Sequence, residues 1–139
     1  MKELTYVDSN VFLYPVLYSK EVDPRVKKTS DILKKIATGE LFAFTSVLTW
    51  DEVVWVVRKT MGVNEAQSQG QKLLGFLNLH FIEVNENILS QAQGLIVKYN
   101  LKPRDAIHIA SALNQKIELI ISDDQDFDVI KEIKRIPLT

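Results

Sequence analysis

LIISDDQDFDVI, residues 119–130, is a short apolar run that reaches Ser122 and then places four aspartates within six positions. Leucine and two isoleucines in succession suit a strand buried on both faces. The aspartates cannot continue such a strand, because like charges gathered at its end repel one another. A buried strand that opens directly onto charge is what an open α/β sheet offers a ligand, outside the carboxyl ends of its strands.

Upstream lies PRDAIHIASALNQK, residues 103–116, a helix opened by Pro103, and before it NENILSQAQGLIVKYN, residues 85–100, a helix with Asn85 or Asn87 near its cap. HFIEV, residues 80–84, reads as a strand. Two further helices precede it: residues 46–62 end at Gly62, and residues 63–78 carry weaker propensity because of two interior glycines. LFAFTS, residues 41–46, is a strand, and residues 23–40 form an amphipathic helix with Asp23 as cap, Pro24 in the first turn and Gly39 at the close. ELTYVD, residues 3–8, is the first strand; Ser9 and Asn10 are placed to cap the helix VFLYPVLYS, which Pro15 kinks or delimits. Downstream of the aspartates, residues 127–133 read as a last short helix and KRIPL, residues 134–138, as an edge strand. Strands separated by helical crossovers imply a three-layer α/β/α sandwich around a central, mostly parallel sheet.

Residues 1–139, with 46% apolar content, suit one compact domain. Without cysteine there is no disulfide framework and no thiolate metal site. Met1-Lys2-Glu3 leads into an apolar run cut short by Asp8, which is not the pattern of a secretory leader, and no apolar run reaches the length of a membrane span. A cytoplasmic protein is expected. A net charge of -1 argues against a general cationic coat for nucleic acid, so any such contact needs a local patch.

The architecture directs attention to acids near strand ends: Asp8 after the first strand, Asp123, Asp124 and Asp126 after the late one, Glu52 early in the helix entered from FAFTS, and Asp105 in the first turn after Pro103. Taken singly, an aspartate between strand and helix serves more often as a cap or dipole partner. Asp128 fits that use, and Asp51 fits an exposed face. Glu52, flanked by Trp50, Val53, Val54 and Trp55, needs a partner or a metal. Their conjunction, with no obvious cation among them, calls for a hard divalent ion held by oxygens. Mg²⁺ or Mn²⁺ suits such a set better than zinc, because no histidine or cysteine cluster accompanies it. His108, one turn after Asp105, reads as a partly buried helix histidine.

YVDSNVFLY, TSVLTWDEV, RDAIHIASAL and ISDDQDFD resemble, in order and across nearly the whole chain, the motifs of PIN-domain ribonucleases, particularly the VapC-type toxins of toxin–antitoxin systems. The resemblance implies a PIN-like fold and metal-dependent hydrolysis of RNA. It makes Asp8, Glu52, Asp105, Asp124 and Asp126 the catalytic and metal-binding acids, with Asn10 and Ser122 orienting them. Asp123 stands where the family often has asparagine. Around that centre Lys27 and Lys28, on a helix that also carries Arg25, Lys34 and Lys35, together with Lys102 and Arg104, are candidates to follow an RNA backbone; a solvated cationic face is the plain alternative. The resemblance also implies a homodimer and a cognate antitoxin lying in an apolar groove. A PIN nuclease of RNA processing without an antitoxin, and a noncatalytic interaction or RNA-binding module, are the competing readings.

Overall fold

The computed structural model describes residues 3–139; Met1 and Lys2, which enter the reading against a leader, lie outside the described residues. Among the described residues are five strands, the first four separated by pairs of α-helices: β1 (Leu4–Val7), α1 (Ser9–Leu17), α2 (Pro24–Ala37), β2 (Phe42–Ser46), α3 (Val47–Met61), α4 (Val63–Leu74), β3 (Leu79–Ile82), α5 (Glu86–Tyr99), α6 (Pro103–Asn114), β4 (Leu119–Ile121) and β5 (Lys134–Ile136). The sheet runs β3-β2-β1-β4-β5 and every pairing in it is parallel, so the strand read as an edge at residues 134–138 is one.

Side chains alternate across this sheet with the strand period of two. Tyr6 and Ile120 enter a core with Ile88, Ala92, Leu95 and Ile109 from α5 and α6. Val7 and Ile121 enter a second core with Val11, Ile32, Val53 and Ala66 from α1 to α4. Both faces of the central strands are therefore covered, which is why successive residues such as Tyr6 and Val7, or Ile120 and Ile121, are all buried. Each fully buried aliphatic side chain in these layers is worth about 1.5–3 kcal/mol of transfer free energy.

Local departures from the sequence reading have local causes. Asp8, rather than Ser9 or Asn10, caps α1: its carboxylate accepts from Ser9 N at 2.7 Å. Pro15 lies inside α1, which ends two residues later, so it delimits the helix. The final helix is instead a 3-10 turn over Gln125–Val129, started early because the Asp124 carboxylate accepts from Asp126 N at 2.9 Å. Gly62 joins α3 to α4 at φ 96°, a backbone that disfavours any side chain, and so turns the chain in one residue.

The order of the strands positions the site. From β1 the chain moves through β2 and β3 to one side, then returns to place β4 on the other side of β1. The gap beyond the carboxyl ends of β1 and β4 is the topological switch point of the sheet. Asp8 N donates to Ile121 O at 3.1 Å and closes the floor of that gap.

Candidate active site

Asp8 leaves β1 into this gap, and its two oxygens are held separately. Oδ1 caps α1, while Oδ2 accepts from Ser122 Oγ at 2.6 Å and from Asn10 Nδ2 at 3.4 Å. Ser122, fully buried, also accepts from Asp124 N at 3.0 Å, so one hydroxyl aligns the acid after β1 and the backbone of the acid after β4. Asn10 Nδ2 reaches Ser122 Oγ as well, at 3.4 Å, whereas Asn10 Oδ1 is buried without a hydrogen-bond partner. Asn10 and Ser122 thus both touch the Asp8 carboxylate.

The remaining acids arrive from two helices and the turn after β4. Glu52 enters from the second turn of α3 and Asp105 from the first turn of α6, where no side chain caps the helix, so Asp105 is not spent as a cap. All five expected acids meet in two adjoining groups. Asp8 and Glu52 are joined by His108, and Asp105 stands with Asp124 and Asp126; within each group the potential ligand atoms lie within 4.8 Å of one another. This division separates Asp105 from the Asp8–Glu52 pair, although Asp105 still feels the charge of Asp8.

His108 is what the sequence reading underestimates. It is buried, as expected of a helix histidine, yet its Nε2 lies 2.5 Å from Glu52 Oε1 and 3.7 Å from Asp8 Oδ1. Nδ1 lies 2.6 Å from Tyr6 Oη, which donates to Ser46 Oγ at 2.9 Å. The one-turn spacing from Asp105 is the signal in the sequence; which way the ring points is settled by packing.

The electrostatics follow from this geometry. Burial drives the Asp8 carboxyl above its ordinary range, against the opposing effects of His108 and Ser122. Burial raises Asp105 too, and Asp124, Asp8 and Asp126 add to it, taking the group from 3.8 to about 6. Glu52 goes the other way: burial would raise it, but the hydrogen bond and charge of His108, with help from Ser9 and Arg104, hold it below the usual value. Burial also opposes charge on His108, and Tyr6, Glu52 and Asp8 overcome that, leaving the imidazole well above its ordinary range.

Cations border the site unevenly. Lys102 Nζ is 4.0 Å from Asp126 Oδ2, and Arg104 acts on Glu52. Lys27 and Lys28 are exposed along α2, whereas Arg25 on the same helix is committed to Asp23 and Asp123, each at 2.7 Å. Asp128 pairs with Arg135 at 2.8 Å, Arg135 also donates to Ser122 O at 3.1 Å, and Asp51 is exposed.

A hard divalent ion fits these residues. Clustered carboxylates supply oxygen donors, and the buried Asn10 Oδ1 lacks a donor at the floor.

The family model of the PIN domain matches residues 5–133, and the chain belongs to that family. No curated protein matches it significantly by sequence. Among solved structures, the chain is similar to VapBC2 from Rickettsia felis bound to a DNA fragment from their promoter, with TM-score 0.73, 13% identity and coverage of 96% of this chain and 98% of that one. It is similar to Mycobacterium tuberculosis VapC20, a sarcin-ricin loop cleaving toxin, with TM-score 0.73, 16% identity and coverage of 90% and 93%. A toxin–antitoxin complex from Klebsiella pneumoniae gives TM-score 0.69, 20% identity and coverage of 97% and 98%. These likenesses establish a shared fold.

Proposed function

We propose that residues 1–139 act as one nuclease domain, a metal-dependent endoribonuclease that hydrolyses RNA phosphodiester bonds as the toxin of a toxin–antitoxin pair. The observation that carries this reading is the convergence of Asp8, Glu52, Asp105, Asp124 and Asp126, from separate segments, at the switch point of a parallel sheet. Membership of the PIN family supports the nuclease class, and the likeness to VapC20, described as a sarcin-ricin loop cleaving toxin, supports RNA as substrate.

In this reading Asp8, Glu52, Asp105, Asp124 and Asp126 hold Mg²⁺ or Mn²⁺. When bound, such an ion polarises a phosphoryl oxygen, lowers the pKa of water and offsets charge on the leaving oxygen. Ser122 and Asn10 keep the Asp8 carboxylate in one orientation. Lys102 and Arg104 flank the acids and receive the RNA backbone, with Lys27 and Lys28 contributing more distant charge. Arg25 is withdrawn from that role by its two aspartates.

An antitoxin partner is supported by the fold's likeness to toxin–antitoxin complexes and by an apolar groove between α3 and α4 lined by Trp50, Val54, Ala66 and Leu74. A homodimer is proposed from the same family and from exposed apolar side chains such as Trp55 and Leu74. Among the described residues no helix is long and apolar enough to cross a membrane, and a cytoplasmic site of action is proposed with the toxin reading.

The test is cleavage. Purified protein free of antitoxin should cut single-stranded or loop RNA internally with Mg²⁺ or Mn²⁺, stop on EDTA addition, and lose the activity in Asp8→Asn. Folded protein that leaves diverse RNAs intact with both ions would overturn the proposal.

A further inference from the structure

Residues near Asp8, Glu52 and Asp105 in the chain also form a buried hydrogen-bond chain behind the site. Tyr6 lies two residues before Asp8, Ser46 immediately precedes the helix of Glu52, and His108 follows Asp105 by one turn. Ser46 and Tyr6 are 0% exposed and His108 is 1% exposed. The chain runs from Ser46 Oγ to Tyr6 Oη at 2.9 Å, to His108 Nδ1 at 2.6 Å, and from Nε2 to Glu52 Oε1 at 2.5 Å. The Tyr6 ring meets the imidazole edge-on, with centroids 5.6 Å apart.

The arrangement has a direction. An imidazole lone pair at that distance from a carboxylate oxygen would be repelled, so Nε2 carries hydrogen and donates to Glu52. Nδ1 is engaged with Tyr6, which fixes the ring plane, as a partner on the far nitrogen does for histidines in metal centres. Ser46 occupies the N-cap of α3 but makes no side-chain cap bond, leaving its hydroxyl for Tyr6. Glu52, with three side-chain torsions to fix, is thereby held beside Asp8 from below.

We infer that His108, braced by Tyr6 and Ser46, is a positioning residue that presents the Glu52 carboxylate to a divalent cation in one orientation. The presented ion rests on the metal-dependent reading above; the His108–Glu52 contact does not. His108 is then no ligand itself, although its nitrogen lies close enough to both carboxylates to serve as one.

The experiment combines ring ¹H–¹⁵N spectra of the full chain with Mn²⁺ titration calorimetry. The His108 Nε2–H resonance should persist at saturating Mg²⁺ and move in Glu52→Gln. Mn²⁺ affinity should fall about 10- to 100-fold in His108→Ala, the range for partners one shell behind a metal, and fall less in His108→Gln, whose amide still donates. Tyr6→Phe should lie between wild type and His108→Ala. Loss of the Nε2–H signal on Mg²⁺ addition, with glutamine as damaging as alanine, would make His108 a ligand and overturn the inference. So would wild-type affinity in His108→Ala. If His108→Ala does not fold, His108→Gln, Tyr6→Phe and the wild-type spectra decide. A resonance that responds to Glu52→Gln in a wild type that neither binds Mn²⁺ nor cuts RNA would support the held contact and overturn the nuclease reading instead.

Discussion

Arg25 Nη1 lies 2.7 Å from Asp123 Oδ2, and Tyr14 Oη donates to the same oxygen at 2.7 Å. The guanidinium also rests over the Tyr14 ring, 4.4 Å from its centroid. Burial and the Asp123 hydrogen bond push the Tyr14 hydroxyl well above its ordinary range, so it remains a donor. The extra charge at Asp123, where the PIN motif often has asparagine, is thus answered from α1 and α2 instead of joining the acids beside it. These contacts tie the first two helices to the loop that carries Asp124.

Arg25→Met should therefore cost about 1–2 kcal/mol, between the limits for surface ion pairs and buried charged hydrogen bonds. In an Asp123→Asn background the same change should cost less by about 0.5 kcal/mol or more, because only the Asp23 carboxylate then loses its partner. Urea midpoints of the four proteins measure this. Additive losses would remove the coupling.

Asp105 caps nothing in α6 and stands among carboxylates. Asp105→Asn should raise the stability of the metal-free protein, since one charge leaves the group. Mg²⁺ or Mn²⁺ should stabilise wild type by about 2.7 kcal/mol at a free concentration a hundredfold above the dissociation constant, and the variant by much less. Melting temperatures with EDTA and with metal supply the comparison. Equal metal shifts in both proteins, with cleavage intact in the variant, would exclude Asp105 from the centre.

The pH dependence has a definite sign. Asp105 rises from 3.8 to about 6, so between those values the native state binds more protons than the unfolded chain. Its unfavourable contribution is present in full above the raised value and is relieved as pH falls through it. In EDTA, wild type should gain stability relative to Asp105→Asn between about pH 7 and about pH 5. A constant difference across that window would contradict the raised value.

The glycines of two helices should behave differently. A Cβ on Gly94 meets nothing within 4 Å, so Gly94→Ala should stabilise α5 by about 0.5–1 kcal/mol through helix propensity. A Cβ on Gly70 would lie 3.0 Å from Val54 Cγ2 and 3.3 Å from Trp50 Nε1. There the gain should shrink or reverse, because the Val54 and Trp50 side chains must give way. Thermal denaturation of the two variants decides; equal gains would mean that this contact yields freely.

The elements and their alternation are legible along the chain because their causes are local. Asn85 caps α5 and Asp23 caps α2 through bonds to nearby backbone amides, Pro24 and Pro103 open their helices, and short apolar runs such as Leu119–Ile121 mark strands. Local competition accounts for the misses as well: at residues 8 and 124 an aspartate captured the backbone before the residues expected to begin the next element.

The sequence by itself determined an α/β chain with acids at the carboxyl ends of its strands, because side-chain period and strand-end chemistry are written in near neighbours. Their division into an Asp8–Glu52 group joined by His108 and an Asp105–Asp124–Asp126 group was decided by tertiary structure. So was the diversion of Asp123 to Arg25, across a separation of 98 residues. No periodicity records which way a buried imidazole turns. That depends on Tyr6 behind it and Glu52 before it, which only the packing of β1, α3 and α6 brings within hydrogen-bonding distance.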